Sequence, residues 1–176
     1  MTEFRIVARA ALAGRPAIVR TGVRIEALPD STILQIMSRV SADEPSEIYA
    51  DASAAGLSLR PIAPGQWLAV KDAVLQKDQI SAFADILKPR ADVVDQSHGR
   101  VRILVCGPMV TRVLAKGTAV DLSLSQFPVA HALQTLFGHI GVHVTRTSQD
   151  DFELIVLRGF AESLWDELAR MSLEFS

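Results

Sequence analysis

Two histidines at even spacing are the first residues in this sequence that could hold a metal ion. His139 and His143 fall on one face of a predicted strand, and imidazole nitrogen is a common zinc ligand. Four strand residues place their Cα atoms roughly 13 Å apart, too far for one zinc ion unless the chain bends between them. The spacing therefore favours separate histidines, facing solvent or an interface, over a shared metal site.

The other reactive side chains have simpler structural interpretations. Cys106 follows an apolar strand, where a lone cysteine is more often a small hydrophobic residue than a nucleophile. Asp150 and Asp151 could act as paired carboxylates, but the polar residues before them are typical of a turn between strands. The sequence has no glycine-rich phosphate loop, Gly-x-Ser-x-Gly elbow or His-Glu-x-x-His motif. It therefore predicts no catalytic, cofactor or metal site in this chain.

Large aromatic residues are the candidates for contact with another protein. Trp165 lies at the edge of an apolar helical stripe, which favours the core, whereas core and interface are about equally favoured for Trp67. With 49% hydrophobic residues in 176, the chain is expected to leave an apolar patch that a partner covers. We expect the isolated chain to self-associate, and the candidate interface residues are Trp67, Phe127 and Phe137.

Composition and charge exclude several classes of protein. The 18 basic residues are scattered among 20 acidic ones, and the net charge of −2 offers no surface for nucleic acid. No run approaches the roughly 18 apolar residues that a membrane span requires. The N-terminus lacks the apolar core of a secretory signal, and a single cysteine cannot form an internal disulfide. We therefore expect a cytoplasmic protein.

The elements that position these residues form two lobes that meet near Pro89. The predicted organisation is an N-terminal extension over residues 1–20, a first lobe over 21–90 and a second over 91–176. In the first lobe, residue patterns predict three strands, the first two joined as a hairpin, at 23–28, 33–37 and 66–70. They also predict two helices, at 45–55 and 78–88. Pro45 and Gly56 suit the first turn and the stop of one helix, and Asp78 suits the N-cap of the other.

The second lobe has clearer signals. Apolar, β-branched runs predict five strands, at 92–96, 101–105, 133–137, 142–145 and 152–157. Pro108 and a left-handed Gly117 should bracket a short helix at 109–116. A strongly amphipathic pattern predicts a closing helix from Phe160 to Met171. Two strand-rich lobes with helices on one side predict an α+β fold with mainly antiparallel sheets.

Short motifs follow one another in order through the second lobe. They are VDQSH (94–98), VRILVCGP (101–108), VLAKG (113–117), VDL (120–122), FP (127–128), QTL (134–136), FELIV (152–156) and FAESLW (160–165), with QWLAV (66–70) in the first lobe. In this order the motifs resemble the sarcosine oxidase gamma-subunit family. The resemblance is dense over residues 91–175 and thin over 1–60.

The resemblance implies both a fold and a role. The family is similar to the folate-binding fold of the glycine-cleavage T protein, in which β-α lobes pack around a central opening. It implies a four-subunit enzyme that oxidatively demethylates sarcosine to glycine and, with tetrahydrofolate present, forms methylenetetrahydrofolate. FAD, FMN, NAD, tetrahydrofolate and zinc are assigned to the alpha, beta and delta subunits. This chain is thus expected to be a cofactor-free gamma subunit that supports assembly.

The sequence departs from the related patterns at two places. Thr118 stands where a cysteine commonly follows the Lys-Gly pair of the family. T-protein-like enzymes carry an acidic pair at positions that match Ile140 and Gly141 here, so a proton-transfer catalyst is missing. This weakens the hypothesis of a stand-alone folate-dependent aminomethyltransferase. A gamma-like subunit of a related N-methyl-amino-acid dehydrogenase and a small-molecule-binding regulatory domain stay open as alternatives.

Overall fold

The computed structural model of the protein describes residues 9–39 and 46–176, and in those ranges it contains ten β-strands and four α-helices. The strands are β1 (Ile18–Arg20), β2 (Val23–Ala27), β3 (Thr32–Ser38), β4 (Ser58–Ala63), β5 (Gln66–Lys71), β6 (Ala91–Asp95), β7 (Arg100–Cys106), β8 (Ala132–Phe137), β9 (Ile140–Ser148) and β10 (Asp151–Leu157). The helices are α1 (Ser46–Ala54), α2 (Lys77–Leu87), α3 (Val110–Leu114) and α4 (Ala161–Met171). Two 3₁₀ turns, Arg158–Phe160 and Leu173–Phe175, flank α4.

The strands form two sheets, in which every pairing is antiparallel. The large sheet has the order β1-β2-β7-β10-β9-β8, and the small sheet has the order β4-β5-β3-β6. The predicted α+β class with antiparallel sheets is therefore confirmed. No helix within the described ranges is long and apolar enough to cross a membrane.

The predicted hairpin between the first two strands of the first lobe is wrong. β2 pairs with β7 in the large sheet, whereas β3 lies between β5 and β6 in the small sheet. Val23 and Ile25 complete the core of the large sheet, and Leu34 and Ile36 belong to the core of the small one. The strands share a short connection but bury their side chains in different places.

Sheet membership also corrects the lobe boundaries. β2 lies in the predicted first lobe but belongs, with β1, to the large sheet. β6 at Ala91–Asp95 lies in the predicted second lobe but belongs to the small sheet. Residues 21–90 and 91–176 are therefore not the two structural units, and residues 18–20 of the supposed extension form an edge strand. The chain crosses between the sheets more than once, which ties them together.

Period-two alternation in the central strands explains the layered packing. Phe152, Leu154 and Val156 of β10 face α3 and α4, while Ile155 faces the small sheet. The outer face of the small sheet packs against α1 and α2. A thin apolar cluster lies between the two sheets, formed by Ile33, Leu68, Val70 and Ile155. The order of layers is helices, large sheet, small sheet, helices.

The helix-terminus predictions have mixed outcomes. Gly56 adopts a positive φ of 68° just after α1, as a helix stop requires, while Pro45 lies outside the described residues. α2 begins earlier than predicted, with Gln76 at the N-cap, and Gln79 Oε1 accepts a hydrogen bond from the Gln76 N–H at 2.8 Å. Asp78 lies within the first turn instead.

Gly117 has a different reason to be glycine from the one predicted. It is not among the described residues with a left-handed φ. A Cβ atom there would approach Phe137 Cδ1 to 2.6 Å and the Met171 sulfur to 3.0 Å. The chain needs glycine at this position because the strand β8 and the helix α4 both pack closely against it.

The aromatic residues predicted at an interface lie inside the chain's own core. Trp67 is 6% exposed, and Phe127 and Phe137 are each 1% exposed. Trp67 Nε1 donates a hydrogen bond to the Tyr49 hydroxyl at 3.2 Å. This burial corrects the expectation of exposed anchors, because the three rings fill hydrophobic cores that their own lobes need. Trp165 is buried, as predicted.

We predict that F127A lowers the free energy of unfolding by about 3–5 kcal/mol, because truncating a fully buried ring leaves a cavity. The matched control is F160A, since Phe160 is 50% exposed and its truncation should cost less than about 1 kcal/mol. Urea unfolding followed by tryptophan fluorescence measures both. Similar losses in the two variants would contradict the placement of Phe127 in the core.

Candidate functional site

Strand register places a row of polar side chains on the face of the large sheet that meets the small sheet. Arg102, Ile155, His143 and Gln134 lie directly opposite one another across β7, β10, β9 and β8, so they share one face. The neighbouring row contains Glu153 opposite Thr145. Gln134 is exposed, whereas Arg102, His143, Glu153 and Thr145 are buried and bring polar groups into the space between the sheets.

Glu153 is the centre of a buried ion network. Arg102 donates from Nε to Glu153 Oε1 at 2.8 Å and from Nη2 to Oε2 at 2.7 Å. Arg60, from β4 of the small sheet, donates from Nη1 to Oε1 at 2.6 Å. Arg102 Nη2 also reaches the exposed Asp72 at 2.7 Å. The carboxylate therefore joins one arginine from each sheet in bidentate geometry.

The ionised state of this network is set by a competition between burial and pairing. Burial alone would raise the pKa of Glu153, but the hydrogen bonds and charges of Arg102 and Arg60 outweigh it and the pKa lies below its ordinary value. Burial works against the charge of Arg102 in the same way, and Glu153 and Asp72 raise its pKa. All three buried groups are charged at neutral pH, and each depends on its partners.

His143 lies fully buried beside this network. Its Nε2 is 3.0 Å from the Pro61 carbonyl oxygen, and because a carbonyl only accepts, Nε2 carries the hydrogen. Nδ1 is buried without a hydrogen-bond partner. Burial, with smaller contributions from the charges of Arg60 and Arg100, lowers the pKa of His143 from 6.5 to about 4. The side chain is a neutral hydrogen-bond donor that links β9 to β4.

The structure separates the two histidines singled out from the sequence. His139 lies exposed in the turn between β8 and β9, whereas His143 points between the sheets. Among the described residues, no three His, Cys, Asp or Glu side chains are grouped to hold a metal ion. The strand β9 begins at Ile140, after His139, so the two histidines do not lie on one strand and their even spacing does not place them on one face.

Cys106 and the acidic pair lie together at the other end of the large sheet. Cys106 is half-buried at the end of β7, directly opposite Asp151 of β10. Burial, together with the charges of Asp151 and Glu26, raises the pKa of the thiol, which disfavours the reactive thiolate. Asp150 lies in the turn before β10, where its carbonyl accepts the Gly107 N–H. The predicted turn at Asp150 is confirmed.

A third row on the same sheet face lies beyond the buried rows and is exposed except at Arg100, which is half-buried. Arg100 lies opposite Leu157, and Leu136 lies opposite Gly141. Gly141 and Leu157 each continue from the Val142–Val156 pair, so the four residues form one row across four strands. Leu136 is 58% exposed and Leu157 is 45% exposed. Gly141, matched above to a T-protein acid, therefore lies in a largely apolar row.

The model of the sarcosine oxidase, gamma subunit family matches residues 40–174, which is more than half of the chain. The chain belongs to the sarcosine oxidase gamma subunit family. The match covers all of the ordered motifs, including the strands that carry Arg60, Arg102 and Glu153. No curated protein sequence matches the chain.

The fold of this chain is similar to that of solved structures of other proteins. A chain of the heterotetrameric sarcosine oxidase from Corynebacterium sp. U-96 is similar over 96% of both chains, with 21% identity and a TM-score of 0.79. The glycine cleavage system aminomethyltransferase T from Bartonella henselae aligns with 85% of this chain and 46% of its own length, with 15% identity and a TM-score of 0.63. These likenesses confirm the predicted fold.

The buried network of this gamma-family chain was not predicted, although the sequence contains a signal for it. Arg102 and Glu153 each interrupt an apolar run, at 101–105 and 152–157, and both occupy alternate positions that face the small sheet. Charged residues in a buried strand require partners, which predicts an ion pair between two strands. Arg60 carries no such signal, because its short strand, SLRPIA, contains a proline and does not alternate regularly.

We predict that His143 makes folding sensitive to mild acid. The unfolded chain binds a proton near pH 6.5 and the folded chain only near pH 4, so stability is complete above about pH 6.5 and falls as pH drops towards 4. The loss should be about 3 kcal/mol. H143F should remove this part of the pH dependence, and the exposed-site control H139F should keep it. Urea unfolding between pH 7 and 4.5 measures the difference; identical pH profiles for wild type and H143F would refute the role.

Proposed function

We propose that this chain is the non-catalytic gamma subunit of a heterotetrameric sarcosine oxidase, and that it supports the assembly of the alpha, beta and delta subunits. The family match over residues 40–174 carries the proposal. The likeness to a chain of a heterotetrameric sarcosine oxidase over 96% of both chains supports it through the fold. The complex would act in the cytoplasm, in the oxidative demethylation of sarcosine to glycine.

The buried polar residues of the chain make structural contacts, which supports a non-catalytic role. Glu153 is held by Arg60 and Arg102, and His143 donates to the Pro61 carbonyl. These hydrogen bonds stabilise the contact between the sheets. We assign FAD, FMN, NAD, tetrahydrofolate and zinc to the other subunits, as the resemblance implies. The purified chain should accordingly be colourless.

The exposed row on the large sheet is the surface that we assign to a larger subunit. Leu136 and Leu157 lie on the part of this sheet face that the small sheet does not cover. Both belong to strands that are hydrogen-bonded to their neighbours. Exposed leucines on a rigid sheet lose little conformational freedom when a partner covers them, which favours stable association. They replace the buried aromatic residues as candidate interface residues.

The assembly role predicts a clear effect of leaving this chain out. The alpha, beta and delta subunits expressed without it should elute as incomplete or unstable assemblies and give little sarcosine-dependent hydrogen peroxide. Addition of the purified chain should restore the tetramer on a sizing column. The chain alone should have no turnover with sarcosine. Turnover by the chain alone, or an unchanged and active complex without it, would overturn the proposal.

Single substitutions test the assigned surface separately. L136K and L157K should weaken association at least about tenfold, because a charge replaces an apolar contact at the interface. L173K is the matched control, since Leu173 is 57% exposed but lies in the 3₁₀ turn after α4. Circular dichroism checks that each variant is folded. If L136K and L157K assemble as well as L173K, the surface is misassigned while the subunit role stands.

A further inference from the structure

A cavity lies beside the sheet-to-sheet contact. Neither Leu136 nor Leu157 of the proposed interface lines it, and it shares Arg100 with the exposed row. Its volume is about 390 Å³, within the range of about 300–1,000 Å³ for small-molecule sites. Its walls come from the segment before β1, from the connection between β2 and β3, and from the start of β7. Ala11, Leu28 and Val101, which are half-buried, supply apolar surface, so a bound molecule would meet both hydrocarbon and charge.

Four arginines line the cavity, and three of them have described partners. Arg15 pairs with Asp166, Arg102 pairs with Glu153, and Arg158 donates to the Arg9 carbonyl oxygen at 2.5 Å. Arg100 is the exception: its guanidinium donates no hydrogen bond to any residue in 9–39 or 46–176. The Arg100 guanidinium is therefore available to bind an anion.

Arg100 lies where an unpaired hydrogen-bond donor is energetically unfavourable. Its Nε is buried without a hydrogen-bond partner, and burial lowers the pKa of the guanidinium. A buried donor without an acceptor is destabilising, and a charged one more so. Two carboxylates also line the cavity, but Glu26 is paired with Arg24 and Asp30 is exposed to solvent. An incoming anion would satisfy Arg100 without displacing another ion pair.

We propose that this cavity binds a short aliphatic carboxylate. Its two oxygens accept hydrogen bonds from the Arg100 guanidinium, whose planar donors match a carboxylate in bidentate geometry. Its hydrocarbon chain contacts Ala11, Leu28 and Val101. The site would make this chain a binding protein for a small acid in addition to its role as a subunit.

Titration of the full-length, ¹⁵N-labelled chain with butyrate tests the proposal by NMR. The Arg100 Nε–H signal, assigned by its absence in R100M, should shift and saturate. Acetate should bind about tenfold more weakly, because it lacks two methylene groups that contact the apolar wall. Butyramide, which has the same shape and no charge, should give no saturable shift. This comparison uses the wild-type chain, so it does not depend on whether a variant folds.

Two variants identify the cation. R100M should weaken butyrate binding at least about tenfold, as followed by the shifts of cavity backbone amides. R170M is the control, because Arg170 is exposed on α4 away from the cavity lining. R100K, which keeps the charge but loses the planar fork, should bind with intermediate strength. No saturable shift in the wild type, equal binding of butyramide, or equal binding by R100M and R170M would overturn the proposal.

Discussion

A carboxylate buried between two sheets needs cations, and here they come from both sheets. Glu153 of the large sheet is held by Arg102 on the neighbouring strand and by Arg60 across the gap. Glu153 is the shared partner of both arginines, so its removal leaves Arg60 without a carboxylate and Arg102 with only the exposed Asp72, which costs several kcal/mol. The surrounding apolar cluster is small, with Ile33, Leu68, Val70 and Ile155 at its centre. The relative position of the two sheets therefore depends on this network.

This constraint explains the features that lie near it. Glu153 and His143 face the same gap. The histidine stays neutral there because it is buried and lies near the positive charges of Arg60 and Arg100. Leu136, Leu157 and Arg100 lie in the next row, where the small sheet no longer covers the large one. A fixed contact between the sheets thus gives an exposed apolar surface and an arginine-lined cavity with defined shapes.

The sequence predicted the local elements better than their partners. The heptad-like spacing of Leu164, Leu168 and Met171 specified α4, because burial of one face fixes a helix without reference to the rest of the chain. The hairpin at β2 and β3 failed because pairing is decided by distant strands such as β7, which proximity in sequence does not reveal. Trp67, Phe127 and Phe137 were placed at an interface for a related reason. An apolar ring is equally suited to a core and to an interface until the fold shows which neighbours it has.

The most direct test of this account is the E153Q variant, which keeps the size of the side chain and removes its charge. Arg60 would then lack its counterion and Arg102 would keep only the exposed Asp72, so the free energy of unfolding should fall by about 3–5 kcal/mol. E167Q, at an exposed ion pair on α4, should change it by less than about 1 kcal/mol. Hydrogen exchange should accelerate in β4 and β5 of the small sheet and in β9 and β10 of the large sheet together. Unchanged stability in E153Q, or faster exchange confined to one sheet, would contradict the claim that this network holds the two sheets as one body.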